Sequence, residues 1–209
     1  TAQGLTDVLG RQVIVENRPG NVTGEIVSRA PPDGYTLVLT GANTWLLPFF
    51  QEKMSYDVVR DLSPVTLAQI SAQLLVVHPS LPVKSVKELV ALAKSRPGEL
   101  NIGANSIGGS THLAGELFKA LANIKIVTVF YKGGPAGHNG LIMGETQMAF
   151  TNLDVWPMVK AGKMKALAVT SPQPSALAPG LPTVAESGLR GYEMVGIDGI
   201  WAPAGTPDG

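Results

Sequence analysis

Strand-like and helix-like segments alternate along this chain, and the alternation restricts it to an α/β architecture with a largely parallel sheet. The pattern predicts strands over residues 12–16, 35–40, 72–78, 100–104, 126–130, 147–152, 165–170 and 192–201. Several carry Val, Ile and Leu on both faces, as strands covered by helices on two sides do. Helices are predicted over 21–30, 111–122 and 154–161. Another follows Ser85-Val86-Lys87-Glu88, a capping-box pattern ahead of Leu89, Leu92 and Ala93 at helical spacing. Pro97-Gly98 stops that helix.

At 209 residues the chain has room for one large domain or two small ones. Hydrophobic residues at 44% against 15% charged argue for packed cores rather than disorder. Lys+Arg and Asp+Glu balance at 16 each, so bulk charge attracts neither nucleic acid nor an anionic membrane. A charged ligand must be held by local geometry. Cysteine is absent, which excludes disulfides, Cys-type zinc sites and thiol catalysis. No run of about 18 apolar residues predicts a membrane-spanning helix, and we expect no secretory leader within these residues. The chain opens at Thr1-Ala2-Gln3-Gly4-Leu5 as if inside a helix and closes in the turn-like stretch Pro203 to Gly209. We expect both ends to be cut from a longer protein.

Residues 101–119 carry the clearest chemical signal. A short apolar strand enters the loop Asn105-Ser106-Ile107-Gly108-Gly109, and the loop enters an amphipathic helix. A helix N-terminus presents unpaired N–H groups and the positive end of the macrodipole. Glycine lets backbone approach a ligand, and Ser and Thr add hydroxyl donors. Two readings follow: an ordinary helix start with Ser110 or Thr111 as N-cap, or an anion cradle with no dedicated cation. Ligands of open α/β sheets sit beyond the C-terminal ends of strands. Three more loops leave such ends: Gly41-Ala42-Asn43-Thr44, Tyr131-Lys132-Gly133-Gly134 and Thr151-Asn152-Leu153-Asp154.

Enzyme signatures fail. Gly108-Gly109-Ser110-Thr111-His112 lacks the last glycine of a nucleophile elbow. Gly162-Lys163 is followed by Met164, not the Ser or Thr of a P-loop. His78, His112 and His138 follow no metal-ligand spacing. We expect no catalytic residues, no metal and no cofactor. Lys132 reads as a solvated loop lysine, Asp154 as a helix cap, and Trp45 as the best aromatic wall for a ligand because it follows the 41–44 loop. A binding module is energetically sufficient. Charge-assisted hydrogen bonds contribute about 1.5–3 kcal/mol each. Three supply roughly what a micromolar complex needs, about 8 kcal/mol.

Seven motifs recur in a specific order: Val13-Ile14-Val15-Glu16-Asn17-Arg18-Pro19-Gly20, Ala30-Pro31-Pro32-Asp33-Gly34-Tyr35-Thr36-Leu37, Asn101 through Phe118, Tyr131-Lys132-Gly133, Gly162-Lys163 with Ala166 to Ser171, Pro182-Thr183-Val184-Ala185-Glu186-Ser187-Gly188, and Ala202 to Pro207. Together they resemble the extracytoplasmic solute receptors of tripartite tricarboxylate transporters, the Bug receptors. The resemblance spans essentially the whole chain. It implies a two-domain, type II periplasmic-binding-protein-like clamshell whose first domain is incomplete in this chain. The first domain would hold residues 1–70 and 199–209, the second 71–198, with hinges near 67–72 and 195–200. It implies a periplasmic monomer that binds a small carboxylate, delivers it to membrane transporter subunits, touches no nucleic acid and catalyses nothing.

The resemblance also implies ligand contacts through loop amides, small polar side chains and bridging waters. The matching positions are Asn43 and Thr44 in the first domain. In the second they are Asn105, Ser106, Gly109, Ser110, Thr111, Tyr131 and Asn152. This chain departs from the pattern in three ways. A first strand with a Pro-Pro-Gly-Gly ligand loop would precede Thr1, and further helices would follow Gly209. Where relatives often carry an aromatic pair, this chain has Ile197-Asp198, and Asp198 in the cleft would disfavour a dianion. A signalling receptor of the same fold and an α/β hydrolase are the alternative functions.

Overall fold

One long strand, Leu62–Val77, pairs with three others and ties the structure together. The computed structural model describes residues 2–18 and 20–207. Thr1, Pro19, Asp208 and Gly209, quoted above, lie outside them. The elements begin with α1 (Ala2–Leu9), α2 (Gly20–Ser28), β1 (Val38–Gly41), α3 (Ala42–Trp45), α4 (Val58–Asp61) and β2 (Leu62–Val77). They continue with α5 (Val86–Ser95), β3 (Asn101–Ala104), α6 (Ser110–Ala122), β4 (Val127–Phe130) and α7 (Gly134–Ile142). Last come β5 (Met148–Asn152), α8 (Trp156–Lys160), β6 (Lys165–Val169) and β7 (Val195–Pro203).

The strand order is β1-β7-β2-β5-β3-β4, with β6 also paired to β2. β3 runs parallel to β4 and β5. β2 is antiparallel to β5, β6 and β7, and β1 is antiparallel to β7. The largely parallel sheet expected from the alternation is thus corrected to a mixed one. Alternation reveals which segments extend, but β2 joins partners far along the chain, and direction is set by those long connections.

The last five residues of β2, 73–77, are buried on both faces, and their side chains alternate with period two. Leu75 and Val77 join Ile102, Phe118 and Phe150 in one apolar layer. Leu74 and Val76 join Leu141, Ala149, Val155 and Met164 in another. In the first layer the Phe118 ring meets Phe150 edge-on at 5.8 Å, and Tyr192 stacks on Phe150 at 6.1 Å. The Tyr192 hydroxyl donates to the Ala114 carbonyl at 3.0 Å, so its polar end is satisfied inside the core. Burial pushes its pKa well above the usual tyrosine range. A third, smaller cluster gathers Val27, Val38, Tyr56 and Leu62, with Trp201 packed against it.

Local chemistry accounts for the helices. Ser85 caps α5 by accepting from the Glu88 amide at 3.2 Å, and the Glu88 carboxylate accepts from the Lys84 amide at 2.7 Å. Asn123 ends α6 in the left-handed region at φ 49°. Other expectations shift. The 12–16 stretch is irregular, with Ile14 and Val15 exposed and unpaired with any described strand. β1 starts at Val38 rather than 35 because the Asp33 carboxylate takes the Tyr35 amide at 3.0 Å in a local turn. The 154–161 helix splits into a 3₁₀ turn, Leu153–Val155, and α8. Asp154 therefore lies inside the turn instead of capping the helix.

Candidate functional site

Three strand ends and the interior of a fourth strand converge on one small recess of about 180 Å³. The end of β1 supplies Gly41, and α3 supplies Ala42 and Asn43. The loop after β3 supplies Asn105, Ser106 and Gly109, and the first turn of α6 supplies Ser110 and Thr111. Asn152 ends β5, and Ile197 and Asp198 come from β7. A larger recess of about 370 Å³ lies between Trp45, Trp201 and residues 64–67 of β2. Its walls are mainly apolar, so the hydrogen-bonding chemistry belongs to the smaller one.

The start of α6 determines what that recess can hold. The N-cap is Gly109, not Ser110 or Thr111 as expected, and no side chain caps the turn. Both hydroxyls are engaged elsewhere. Ser110 Oγ accepts from Gln73 Nε2 at 2.7 Å, and Thr111 Oγ1 accepts from the Asn105 amide at 3.4 Å. Each hydroxyl is an acceptor toward the protein, which leaves its O–H free to donate. The first-turn amides add donors that the helix cannot satisfy itself. Gln73 is wholly buried, and its backbone is fixed by Thr170, whose Oγ1 accepts from the Gln73 amide at 2.8 Å. Its Oε1 has no partner.

His112 shapes the loop. Its Nδ1 accepts from the Gly108 amide at 3.1 Å, and its ring lies 5.9 Å from Phe50 and 5.1 Å from Phe130. Burial lowers its pKa, Glu116 opposes the shift and Lys119 reinforces it. The neutral ring is the form that can accept the Gly108 hydrogen bond. The residue therefore builds the loop.

Among the described lining residues Asp198 is the one ionisable group. It faces Gly41 on one neighbouring strand and Gln69 on the other, and its Oδ2 accepts from Gln69 Nε2 at 2.6 Å. No cluster of His, Asp and Glu among the described residues is arranged to hold a metal.

The recess thus gathers Asn43, Asn105, Ser106, Gly109, Ser110, Thr111, Asn152 and Asp198 from the sequence-derived set. Thr44 and Tyr131 lie outside its lining. Thr44 is buried, its hydroxyl paired with Thr40 and its carbonyl accepting from Tyr56. The Tyr131 hydroxyl donates to Glu145 Oε2 at 3.0 Å, and its ring packs against Gly137 and Gly140 of α7. Trp45 faces the apolar recess and lies 5.6 Å from Trp201. Gln73 and His112 were missed as positioning groups. The signal for Gln73 was a lone amide heading the apolar run Leu74-Leu75-Val76-Val77.

The family model for the tripartite tricarboxylate transporter family receptor matches residues 1–209. The chain belongs to that receptor family. Protein BugT of Bordetella pertussis is 32% identical over 211 residues, 98% of this chain and 65% of BugT. The structure of R. palustris Rpa4515 with adipate aligns with a TM-score of 0.91 at 34% identity, covering 99% of this chain and 71% of that one. MatC from Rhodopseudomonas palustris with bound malate aligns with a TM-score of 0.88 at 25% identity, covering 99% and 72%. The tripartite tricarboxylate receptor chain described here has the α/β fold of periplasmic binding proteins. It spans 61% to 65% of the length of six curated relatives.

Proposed function

We propose that this chain is the solute-binding part of a periplasmic receptor that captures a small carboxylate in the recess and delivers it to a membrane transporter. The observation that carries the reading is the uncapped start of α6, opening on a recess with two hydroxyls free to donate and no lysine or arginine among the described lining residues. Such a terminus stabilises an anion through amide hydrogen bonds, and the dipole adds about 0.3–1 kcal/mol. Relatives solved with adipate and malate support the same ligand class.

In this reading the described residues within 1–70 and 199–209 form one wall and residues 71–198 the other. The β2–β7 ribbon, paired from Leu62↔Pro203 to Ala72↔Val195, is the hinge, and its register shifts near Leu67 ease bending. Calorimetry against acetate, malate, adipate and citrate, with glucose and a cationic amine as controls, tests the proposal. Binding of at least one carboxylate is expected. Binding of the sugar or the amine with no carboxylate bound would refute it.

A further inference from the structure

Asp198 puts a negative charge into a recess otherwise built to receive one. We propose that it selects carboxylates bearing an amine or other strong hydrogen-bond donor at their far end, and rejects dicarboxylates; this rests on the carboxylate reading above.

The placement follows from strand register. Asp198 lies on β7, which runs between β1 and β2, directly opposite Gly41 of β1 and Gln69 of β2. Residues opposite one another in adjacent strands project from the same face. Gln69 fills its side of that face with an amide that donates to Oδ2 at 2.6 Å. Gly41 leaves its side empty, and a Cβ there would come within 2.5 Å of Oδ1. The glycine therefore makes room for the carboxylate beside the recess that both residues line. Oδ2 is engaged by the protein, while Oδ1 has no hydrogen-bond donor among the described residues. With no lysine or arginine in the described lining, the charge of Asp198 has no local counter-ion.

The recess is thus polarised. Amides and hydroxyls of the α6 start meet one end of a ligand, and a free carboxylate oxygen meets the other. A dicarboxylate would set its second anion against Asp198, while an ammonium there would complete a charge-assisted hydrogen bond. The contrast should amount to between about tenfold and a hundredfold in affinity.

Matched pairs of equal length read the effect: succinate against 4-aminobutanoate, and adipate against 6-aminohexanoate, titrated by calorimetry into the full chain and into Asp198→Asn. Asparagine keeps an oxygen for Gln69 while removing the charge. The proposal expects the amino member of a pair to bind the native chain at least about tenfold tighter. It expects Asp198→Asn to erase or invert that preference with its melting temperature unchanged. Equal or tighter binding of the dicarboxylate by the native chain would overturn it, as would an unchanged preference in Asp198→Asn. If Asp198→Asn melts early, Gln69→Leu supplies the second test, since freeing Oδ2 should strengthen the amine preference, and a weakened preference counts against the proposal. Binding of monocarboxylates and dicarboxylates alike would overturn the selection and leave the carboxylate site standing. Failure of every carboxylate would remove the site itself.

Discussion

Replacing Ser110 by alanine tests the site and its support together. In the folded chain Ser110 Oγ accepts from Gln73 Nε2 at 2.7 Å, and Gln73 is fully buried with its Oε1 already unpartnered. Deleting the hydroxyl orphans the Nε2 donor, which costs about 1–3 kcal/mol of stability. For a chain of this size that lowers the melting temperature by about 2–12 °C. Binding loses a hydrogen bond to a charged group, about 1.5–3 kcal/mol, or about 10- to 150-fold in Kd. The two losses separate in a second background. Gln73→Leu added to Ser110→Ala removes the orphaned amide, so stability should recover while affinity stays low. Denaturant unfolding reads the first quantity and calorimetry with the tightest carboxylate the second. Lys132→Ala, outside the described lining, should change Kd less than Ser110→Ala combined with Thr111→Ala. Unchanged affinity in Ser110→Ala, or a larger loss from Lys132→Ala, would refute an anion site made of amides and hydroxyls.

Three further outcomes follow from the packing. His112 has a lowered pKa in the fold, so protonation favours the unfolded chain. Its contribution is complete above the unfolded value of about 6.5 and is lost as the pH falls toward the lowered folded value. Unfolding titrations from pH 8 to pH 5 should show this decline, and His112→Gln should flatten it. Phe118→Ala empties the centre of the aromatic cluster, where Phe118 is fully buried, and should cost about 3–5 kcal/mol in denaturant unfolding; a loss below 1 kcal/mol would contradict that packing. Gly140→Ala would drive a methyl group into the Tyr131 hydroxyl, and we expect about 1–3 kcal/mol of destabilisation, read by thermal melting.

Elements whose signals are local were legible in the sequence. α5 carries its own capping box, and β3, β4, β5 and β6 are short runs flanked by turn residues. The polar half of β2 was not legible. Ser63, Pro64, Thr66 and Gln69 resemble a linker until β7, more than 120 residues later, supplies their partners. α7 was hidden by Gly134, Gly137 and Gly140, which weaken helix propensity. Their purpose emerges only when the Tyr131 ring is seen lying against two of them. At the site, small polar residues after strands pointed to Asn43, Asn105, Ser110 and Asn152. The roles of Gln73 and His112 depended on atoms that no local pattern contains. Thr44 and Tyr131, ligand contacts by the family resemblance, lie outside the recess lining, and their side chains bond to Thr40 and Glu145.

β2 begins with Leu62 in the small cluster beside Val38 and Tyr56, and ends with Leu74 to Val77 in the two large layers. One strand is therefore shared by all three apolar clusters. Loss of any one of them loosens the backbone that the other two depend on. Melting of the clusters is coupled through that strand, and the chain should unfold in a single cooperative transition rather than piece by piece.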